Sequence, residues 1–455
     1  MTLPRAFTDS VRQTAGPEAT ERLLAALDTP ASVSVRLNPS KCSAADVPVL
    51  DGASRVPWSP YGYMLRQRPS FTLRPEFHSG AYYVQDSSAM YVGELFRTVL
   101  PAVMNGDRPL RVLDLCAAPG GKTTDLAASL RESLGDRFIL VANEVMQMRS
   151  RVLADNVARW GDPNVIVTSS DPKAFASMEG FFDIMVTDVP CSGEGMFRKD
   201  EEALAQWSED NVALCASRQR RIVADAWPAL RRGGVMIYST CTFNSRENGE
   251  NVSWICSELG AETLDTGLRH DGVIFDGAGS LLIPGSVPGE GQYCAAVRKT
   301  GGAEAVSARP CRAAKADPFQ SMAQRLFTVP VCARTRGDLL CAIPKSIAAE
   351  SDTVASAARV ILSGTAVGQV KGRDLVPDED LALCTALAPE AFEEVPVSEE
   401  TALKYLHRDS FALGDAPAGF VLLSCRDIPL GFVKNLGRRC NNLHPQGRRI
   451  IMDIK

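Results

Sequence analysis

Two cysteines stand where chemistry could be done. The stretch VTDVPCSGEGMFRKD brings Asp188, Pro190 and Cys191 together at the end of a strand-like run, with Gly193 and Gly195 just beyond. A second strand-like run ends in YSTCT and carries Cys241. A cysteine beside a carboxylate at a strand end is a nucleophile, a metal ligand or a small buried apolar filler, and filler is the common fate. Attack requires the thiolate, and a free thiol with a pKa of about 8.5 is only a few per cent ionised at neutral pH. Such a site wants positive charge or hydrogen-bond donors close by, and Lys122 is the local candidate.

Composition narrows the choices. The thirteen cysteines are scattered, none forms a C-x-x-C pair, and with four histidines no zinc spacing can be built, so no metal is expected. Free thiols fit a reducing compartment. At 455 residues the chain is too long for one ordinary core. It is 45% hydrophobic and 23% charged, as soluble globular proteins are. The opening MTLPRAFTDSVRQ lacks a signal-type apolar run, and no later stretch is long enough to span a bilayer. A cytoplasmic monomer that does not engage membranes is the expectation. A net charge of −5 gives no global case for nucleic acid. Basic residues do cluster locally: Arg218, Arg220, Arg221, Arg231 and Arg232, then Lys434, Arg438, Arg439, Arg448 and Arg449. A charge run is usually a solvated face.

The elements that must position the cysteines follow a regular pattern from Arg111 onward. RVLDL reads as a strand, GKTTDLAASLRESLG as a helix, FILVANE as a strand. VMQMRSRVLADNVARWG reads as a helix with Val145, Met148, Val152 and Trp160 on one face. NVIVTSS and FDIMVTD are strands, about 201–231 is one long helix, GGVMIYST is a strand and SRENGENVSWICSEL a helix. Alternating strands and helices predict an α/β, doubly wound, mostly parallel sheet covered on both faces. Ahead of it, VRQTAGPEATERLLAALD is helical and SVSVRLNP strand-like. Behind it, TGGAEAVSARPCRAAKAD reads as a linker, and FVLLSCRDIPLGFVKN as a hairpin.

Ligands of such sheets sit beyond the carboxyl ends of the strands. Here four successive strands end in acids: Asp114, Glu144, Asp171 and Asp188. After the first, Gly120 and Gly121 let the backbone approach a ligand where a helix begins. The spacing is not that of a Walker A loop. Glu144 is placed to accept hydrogen bonds from a ribose diol. Together these favour a nucleoside-containing cofactor, with Cys191 and Cys241 on the same edge.

The motifs DLCAAPGGKTT, ANE, TDVPCSGEG and YSTCTFNSREN resemble, in order and spacing, the Sun/NSUN family of RNA cytosine-C5 methyltransferases. LPRAF, SVRLNP and GAYYVQDSSAM also resemble family segments. CSGEGMFRKD followed by Trp207 is most similar to the bacterial RsmF-like branch, which acts on small-subunit ribosomal RNA. LGFVKNLGRRCNNLHPQGRR is similar to that branch's C-terminal PUA-like module, and residues 300–400 match least. The implied architecture is a Rossmann-like S-adenosylmethionine-dependent core at 79–300, after a small α+β RNA-binding domain at 1–78. A linker at 301–326 and a C-terminal region with the PUA-like module at 327–455 complete it.

The resemblance also implies roles. Carbon 5 of cytosine is a poor nucleophile until a thiolate adds to carbon 6. Cys241 would be that nucleophile, Cys191 would assist breakdown of the covalent intermediate and product release, and Asp188 would activate the cytosine. Cys116, Ala117, Ala118, Pro119, Gly120, Gly121 and Lys122 would wrap the methionine part and ribose of S-adenosylmethionine. Glu144 would take the ribose hydroxyls, Asp171 the adenine and Asp188 the methionine end. Lys122 supports the reaction or only neutralises carboxylates, and Asp171 is alternatively a helix cap. Arg218, Arg221, Lys434, Arg438, Arg439, Arg448 and Arg449 become candidate phosphate contacts. One departure stands out: where the family has Pro-His and Gly-Phe-Phe, this chain has Pro284-Gly285 and Gly291-Gln292-Tyr293. The competing readings are the same chemistry on transfer RNA, and a ribosome-assembly factor that binds RNA without turnover.

Overall fold

The apolar runs assemble into one central sheet. The computed structural model describes residues 3–104, 106, 108–308, 317–372 and 374–454. Its core strands are β1 (Leu110–Asp114), β2 (Phe138–Asn143), β3 (Val165–Thr168), β4 (Phe182–Asp188), β5 (Leu230–Thr240), β6 (Gln292–Lys299) and β7 (Val360–Ser363). They lie in the order β6-β5-β4-β1-β2-β3-β7. The five from β5 to β3 run parallel, and β6 and β7 are antiparallel at the flanks.

Every residue of β1, β2 and β3 is buried, which is why these strands read as continuous apolar runs rather than alternating ones. Successive residues face opposite layers: Leu113, Val141 and Met185 join one core cluster, Val112, Leu140 and Ile184 the other. The covering helices include α1 (Gly121–Leu134), α2 (Gln147–Trp160), α3 (Glu209–Ala226) and α4 (Gly249–Leu259).

Several boundaries differ from the sequence reading. In α2 the buried face is Ser150, Leu153, Val157 and Trp160, whereas Val145, Met148 and Val152 are 54%, 72% and 51% exposed. The helix starts only at Gln147, so Val145 precedes it, and the row that meets Trp160 runs through 157, 153 and 150. The single helix expected over 201–231 is two, Glu201–Gln206 and α3. Trp207 turns inward between them, and the Ser208 hydroxyl caps α3 by accepting from Asn211 N at 3.1 Å. Likewise the opening helix is two, Arg5–Ala15 and Pro17–Leu27, the second begun by a proline.

These two helices pack against the central unit, with the Phe7 ring 5.1 Å from Phe197 and 5.8 Å from Trp207. The N-terminal sheet takes its strands in the order Ser54–Arg55, Gly62–Met64, Ser34–Leu37, Tyr82–Val84. Its last strand lies beyond residue 78.

The C-terminal region is joined to the core by more than a tether. β7 adds to the edge of the central sheet, pairing Leu362 with Val167. Gly161, at φ 86°, closes α2 where a Cβ would stand 2.0 Å from the Leu383 carbonyl, so only glycine allows this approach. Within the span expected to be linker, Gln320–Gln324 is helical. The Gln320 amide bonds the backbone of Val331 and Ala333 in the strand Val331–Arg336. The middle of that span, 309–316, lies outside the described residues. The expected hairpin is present as Gly419–Cys425 and Ile428–Asn435. Among the described residues no helix is long and apolar enough to cross a membrane.

Candidate active site

At the carboxyl edge of the sheet, the chain after β1 continues the sheet pattern: Leu115 N bonds Val186 O and Ala117 N bonds Asn143 O. Gly120 then takes a left-handed conformation, φ 113°, and α1 begins at Gly121 without a side-chain cap. Its first amides are therefore free for a ligand. The outward carbonyls of this loop are held from behind. Pro119 O accepts from Tyr83 Oη at 3.1 Å and Asn156 Nδ2 at 2.8 Å, and Ala118 O accepts from Arg149 Nη2 at 2.9 Å.

A cleft of about 480 Å³ opens beside it, lined among others by Cys116, Ala118, Glu144, Asp171, Asp188, Cys191 and Cys241. Ala117, Pro119, Gly120 and Gly121 shape the loop that bounds it. Glu144 is nearly buried; its Oε1 accepts from Met146 N at 2.9 Å, and Arg149 lies 3.5 Å from its Oε2. Asp171 accepts from Lys173 N, so it caps a short 3-10 turn and also lines the cleft. The cap is present, and the side chain still borders the cleft. Val145, Met146, Pro172 and Ile222 give the same cleft apolar walls. Acids for a diol, an uncapped helix start and apolar walls for a flat ring are what a nucleoside with a charged tail requires. The donor set fits S-adenosylmethionine.

Asn143 was not singled out in the sequence, although it precedes Glu144. Its amide bonds Leu115 O and Ser170 O, and its Oδ1 accepts from Thr168 Oγ1 and Ser170 N. One buried side chain thus ties together the loops after β1, β2 and β3.

The two thiols meet. Cys191 Sγ and Cys241 Sγ are 3.2 Å apart, from the loops after β4 and β5, and both are partly exposed. The hydrogen bond with Cys241, then burial, pushes the Cys191 thiol well up. Asp188 stands at the same edge, its Oδ2 accepting from Lys122 Nζ at 2.8 Å and its Oδ1 from Ser239 Oγ at 2.8 Å. Burial works against the Lys122 charge, but Asp188 more than offsets it and holds the ammonium above its ordinary value. Cys116 is a different case, since burial and the carboxylates of Asp114, Glu144 and Asp188 push its thiol far up. The thiolate that attack requires is disfavoured there.

Two buried glutamates register the cysteine loops against each other. Glu194 accepts from Trp207 Nε1 (2.9 Å), Phe243 N (2.6 Å), Asn244 N (3.1 Å) and Asn244 Nδ2 (3.1 Å). Glu247 accepts from Ser192 N (3.0 Å), Gln219 Nε2 (2.6 Å) and Asn244 Nδ2 (2.9 Å). Gly195 N also bonds Cys241 O at 2.8 Å. A carboxylate can accept such bonds from several donors, and ionised acceptors make the stronger ones. Neither glutamate is given a role from sequence, although Glu194 lies in TDVPCSGEG and Glu247 in YSTCTFNSREN.

The candidate RNA contacts separate. Arg218 and Arg221 are exposed and line the cleft mouth. Arg220 instead bonds Asn251 Oδ1, and Arg231 pairs with Asp183 at the start of β4, on the opposite edge. Lys434, Arg438, Arg439 and Arg449 are exposed. Arg448 is not available as a phosphate contact. Its guanidinium lies 2.5 Å from Asp155 and 2.9 Å from both Glu379 and Asp380.

Known proteins share this arrangement along the chain. The family models described as 16S rRNA methyltransferase RsmB/F, the N-terminal domain of 16S rRNA methyltransferase RsmF and the methyltransferase RsmF PUA domain match residues 101–298, 3–87 and 392–450. The ribosomal RNA small subunit methyltransferase F of Cronobacter sakazakii is 30% identical, covering 99% of this chain and 97% of its own. That of Erwinia tasmaniensis gives the same identity and coverage. Among solved structures, a methyltransferase homologue from Pyrococcus horikoshii is 27% identical with a TM-score of 0.54, over 65% of this chain and 95% of its own. NSun6 of the same organism, solved with SFG, shares the fold at 19% identity and a TM-score of 0.53, over 66% and 99%. The methyl donor of this fold is S-adenosylmethionine. Matched along nearly its whole length, the chain belongs to the RsmF family of 16S rRNA methyltransferases.

Proposed function

We propose that this chain methylates carbon 5 of a cytosine in small-subunit ribosomal RNA through a covalent bond between Cys241 Sγ and carbon 6. The observation that carries the reading is the pair of thiols 3.2 Å apart beside Asp188. One thiol alone could be packing. Two at one edge, registered by Glu194 and Glu247, suit a reaction that makes and then breaks a thioether.

Cys241 releases its proton to solvent and adds as the thiolate to carbon 6, which makes carbon 5 enamine-like. Asp188 holds the ring edge through a hydrogen bond, and Lys122 Nζ donates to its Oδ2. Bound S-adenosylmethionine supplies the electrophilic methyl group that carbon 5 accepts. Carbon 5 must then lose its hydrogen as a proton, and the electrons left behind expel Cys241 from carbon 6. Cys191, after releasing its own thiol proton to solvent, takes that proton as the thiolate. The strongest upward influence on its thiol is the hydrogen bond with Cys241, which is gone once Cys241 is a thioether. The loop 116–121, Glu144 and Asp171 hold the cofactor, with Arg218 and Arg221 at the mouth for phosphates. The cytosine must leave its stack to reach Cys241, so the target lies in a loop or in RNA opened during assembly.

The test is incubation of the full chain with S-adenosylmethionine and undermethylated small-subunit ribosomal RNA, followed by mass spectrometry of the nucleosides. 5-Methylcytidine at a defined position is expected. Its appearance on transfer RNA alone would overturn the substrate, and normal RNA binding with no methylation of either would favour an assembly factor.

A further inference from the structure

Gln292 is the first residue of β6, the antiparallel strand next to β5, and its neighbour Tyr293 pairs with Thr240 just before Cys241. It is 1% exposed, yet its Nε2 donates to Asp188 Oδ1 at 3.2 Å. The opposite orientation of the amide would set its oxygen against the carboxylate, so the donor orientation follows from the charge. The backbone leading into it is fixed: Gly291 N donates to Ser88 Oγ at 2.9 Å, and Glu290 N to Asp86 Oδ1 at 3.1 Å. A Cβ on Gly291 would meet the Phe243 ring at 2.3 Å. This is the stretch where the chain has Gly291-Gln292-Tyr293 in place of Gly-Phe-Phe, and phenylalanine could not donate.

A carboxylate offers about four lone-pair positions. On Asp188, Oδ1 receives Ser239 Oγ and Gln292 Nε2, and Oδ2 receives Lys122 Nζ. One position remains, on Oδ2, and the Asp188 side chain is 31% exposed towards the cleft it lines. We infer that Gln292 is a positioning residue that fixes the Asp188 carboxylate plane, leaving a single acceptor for the 4-amino hydrogen of cytosine. Uracil presents an oxygen there, and two acceptors facing each other repel. The donor trio thereby contributes to the choice of cytosine over uracil. This inference rests on cytosine being the target base.

Full-length wild type, Gln292→Met and Gln292→His test it. Methionine keeps the volume and loses the donor, while histidine keeps an N–H. Gln292→Met is expected to lose kcat by roughly 10- to 100-fold, by analogy with the outer partners that orient metal ligands. KM for RNA and affinity for S-adenosylmethionine should stay near wild type, and Gln292→His should recover most of kcat. A Gln292→Met enzyme with wild-type kcat would overturn the inference, as would a histidine variant no better than the methionine one. Crystal structures of wild type and Gln292→Met supply a readout independent of turnover. If wild type itself fails to methylate cytosine, the functional reading fails separately. An Asp188 carboxylate unmoved in the variant would then still overturn the positioning role, and a rotated one would support it.

Discussion

Asp114 shows how burial sets chemistry at a single residue. It ends β1 fully enclosed, with Oδ2 accepting from Thr123 Oγ1 at 2.7 Å and Oδ1 without a partner among the described residues. Burial is the chief reason its carboxyl is pushed up from 3.8 to about 7. The Thr123 hydrogen bond and Lys122 oppose the rise, and Asp188 and Glu144 add to it. The folded protein therefore keeps a proton that the unfolded chain releases. The associated stability is fully present below the unfolded value and is lost as pH rises through about 7. Each pH unit in that window is worth up to about 1.4 kcal/mol. Between pH 5 and 7 the unfolding temperature of ligand-free wild type should therefore lose ground to that of Asp114→Asn as pH rises. Equal slopes would contradict this. Asp114 was legible only as one of four strand-end acids, because its difference from Glu144 and Asp188 lies in burial, which sequence does not display. The residues proposed to react were more legible than their supports. Cys191, Cys241 and Asp188 sit in motifs, as do Glu194 and Glu247, but the parts played by Glu194, Glu247 and Gln292 come from partners distant in sequence.

At the scale of elements, the strands were the easiest to read, because two-sided burial turns them into unbroken apolar runs. Helix faces were harder. The exposed apolar residues at the start of α2 imitate a buried stripe, and Val145 and Met146 are apolar because they line the cleft rather than the core. The break at Trp207 shows the limit of periodicity: Ser208 caps α3 while Trp207 is drawn onto Glu194 and Phe7. The site itself is an element-level product. Five pieces of chain, the loops after β1, β2, β3, β4 and β5, converge at one edge, and β6 brings Gln292 to the same place. Parallel strands guarantee that convergence, because they all deliver their carboxyl ends to one side.

Across the whole molecule, the basic residues divide into clasps and candidate contacts. Arg448 fastens the C-terminal module to α2 through Asp155 and to buried Glu379, where His444 also bonds. Burial opposes its charge, but Asp380, Asp155 and Glu379 raise its pKa far above the ordinary value. Arg448→Ala leaves those acids uncompensated and should cost about 3–5 kcal/mol of stability. Arg438→Ala and Arg449→Ala should leave thermal unfolding unchanged, weaken RNA binding and lower its salt dependence. A stable Arg448→Ala protein with weakened RNA binding would reverse that division. Sequence could not make it, since all of these arginines fall in one basic run and only the fold brings acids to one of them. The joining of β7 to the central sheet was equally hidden, because the match to known motifs is poorest there.

The central claim is that Cys241 attacks and Cys191 releases. Wild type, Cys191→Ala and Cys241→Ala, each incubated with S-adenosylmethionine and undermethylated small-subunit ribosomal RNA, can be resolved on a denaturing gel for protein–RNA adducts. The account predicts a persistent adduct in Cys191→Ala alone, and neither adduct nor methylated product from Cys241→Ala. An adduct that requires Cys191 and survives the loss of Cys241 would contradict it.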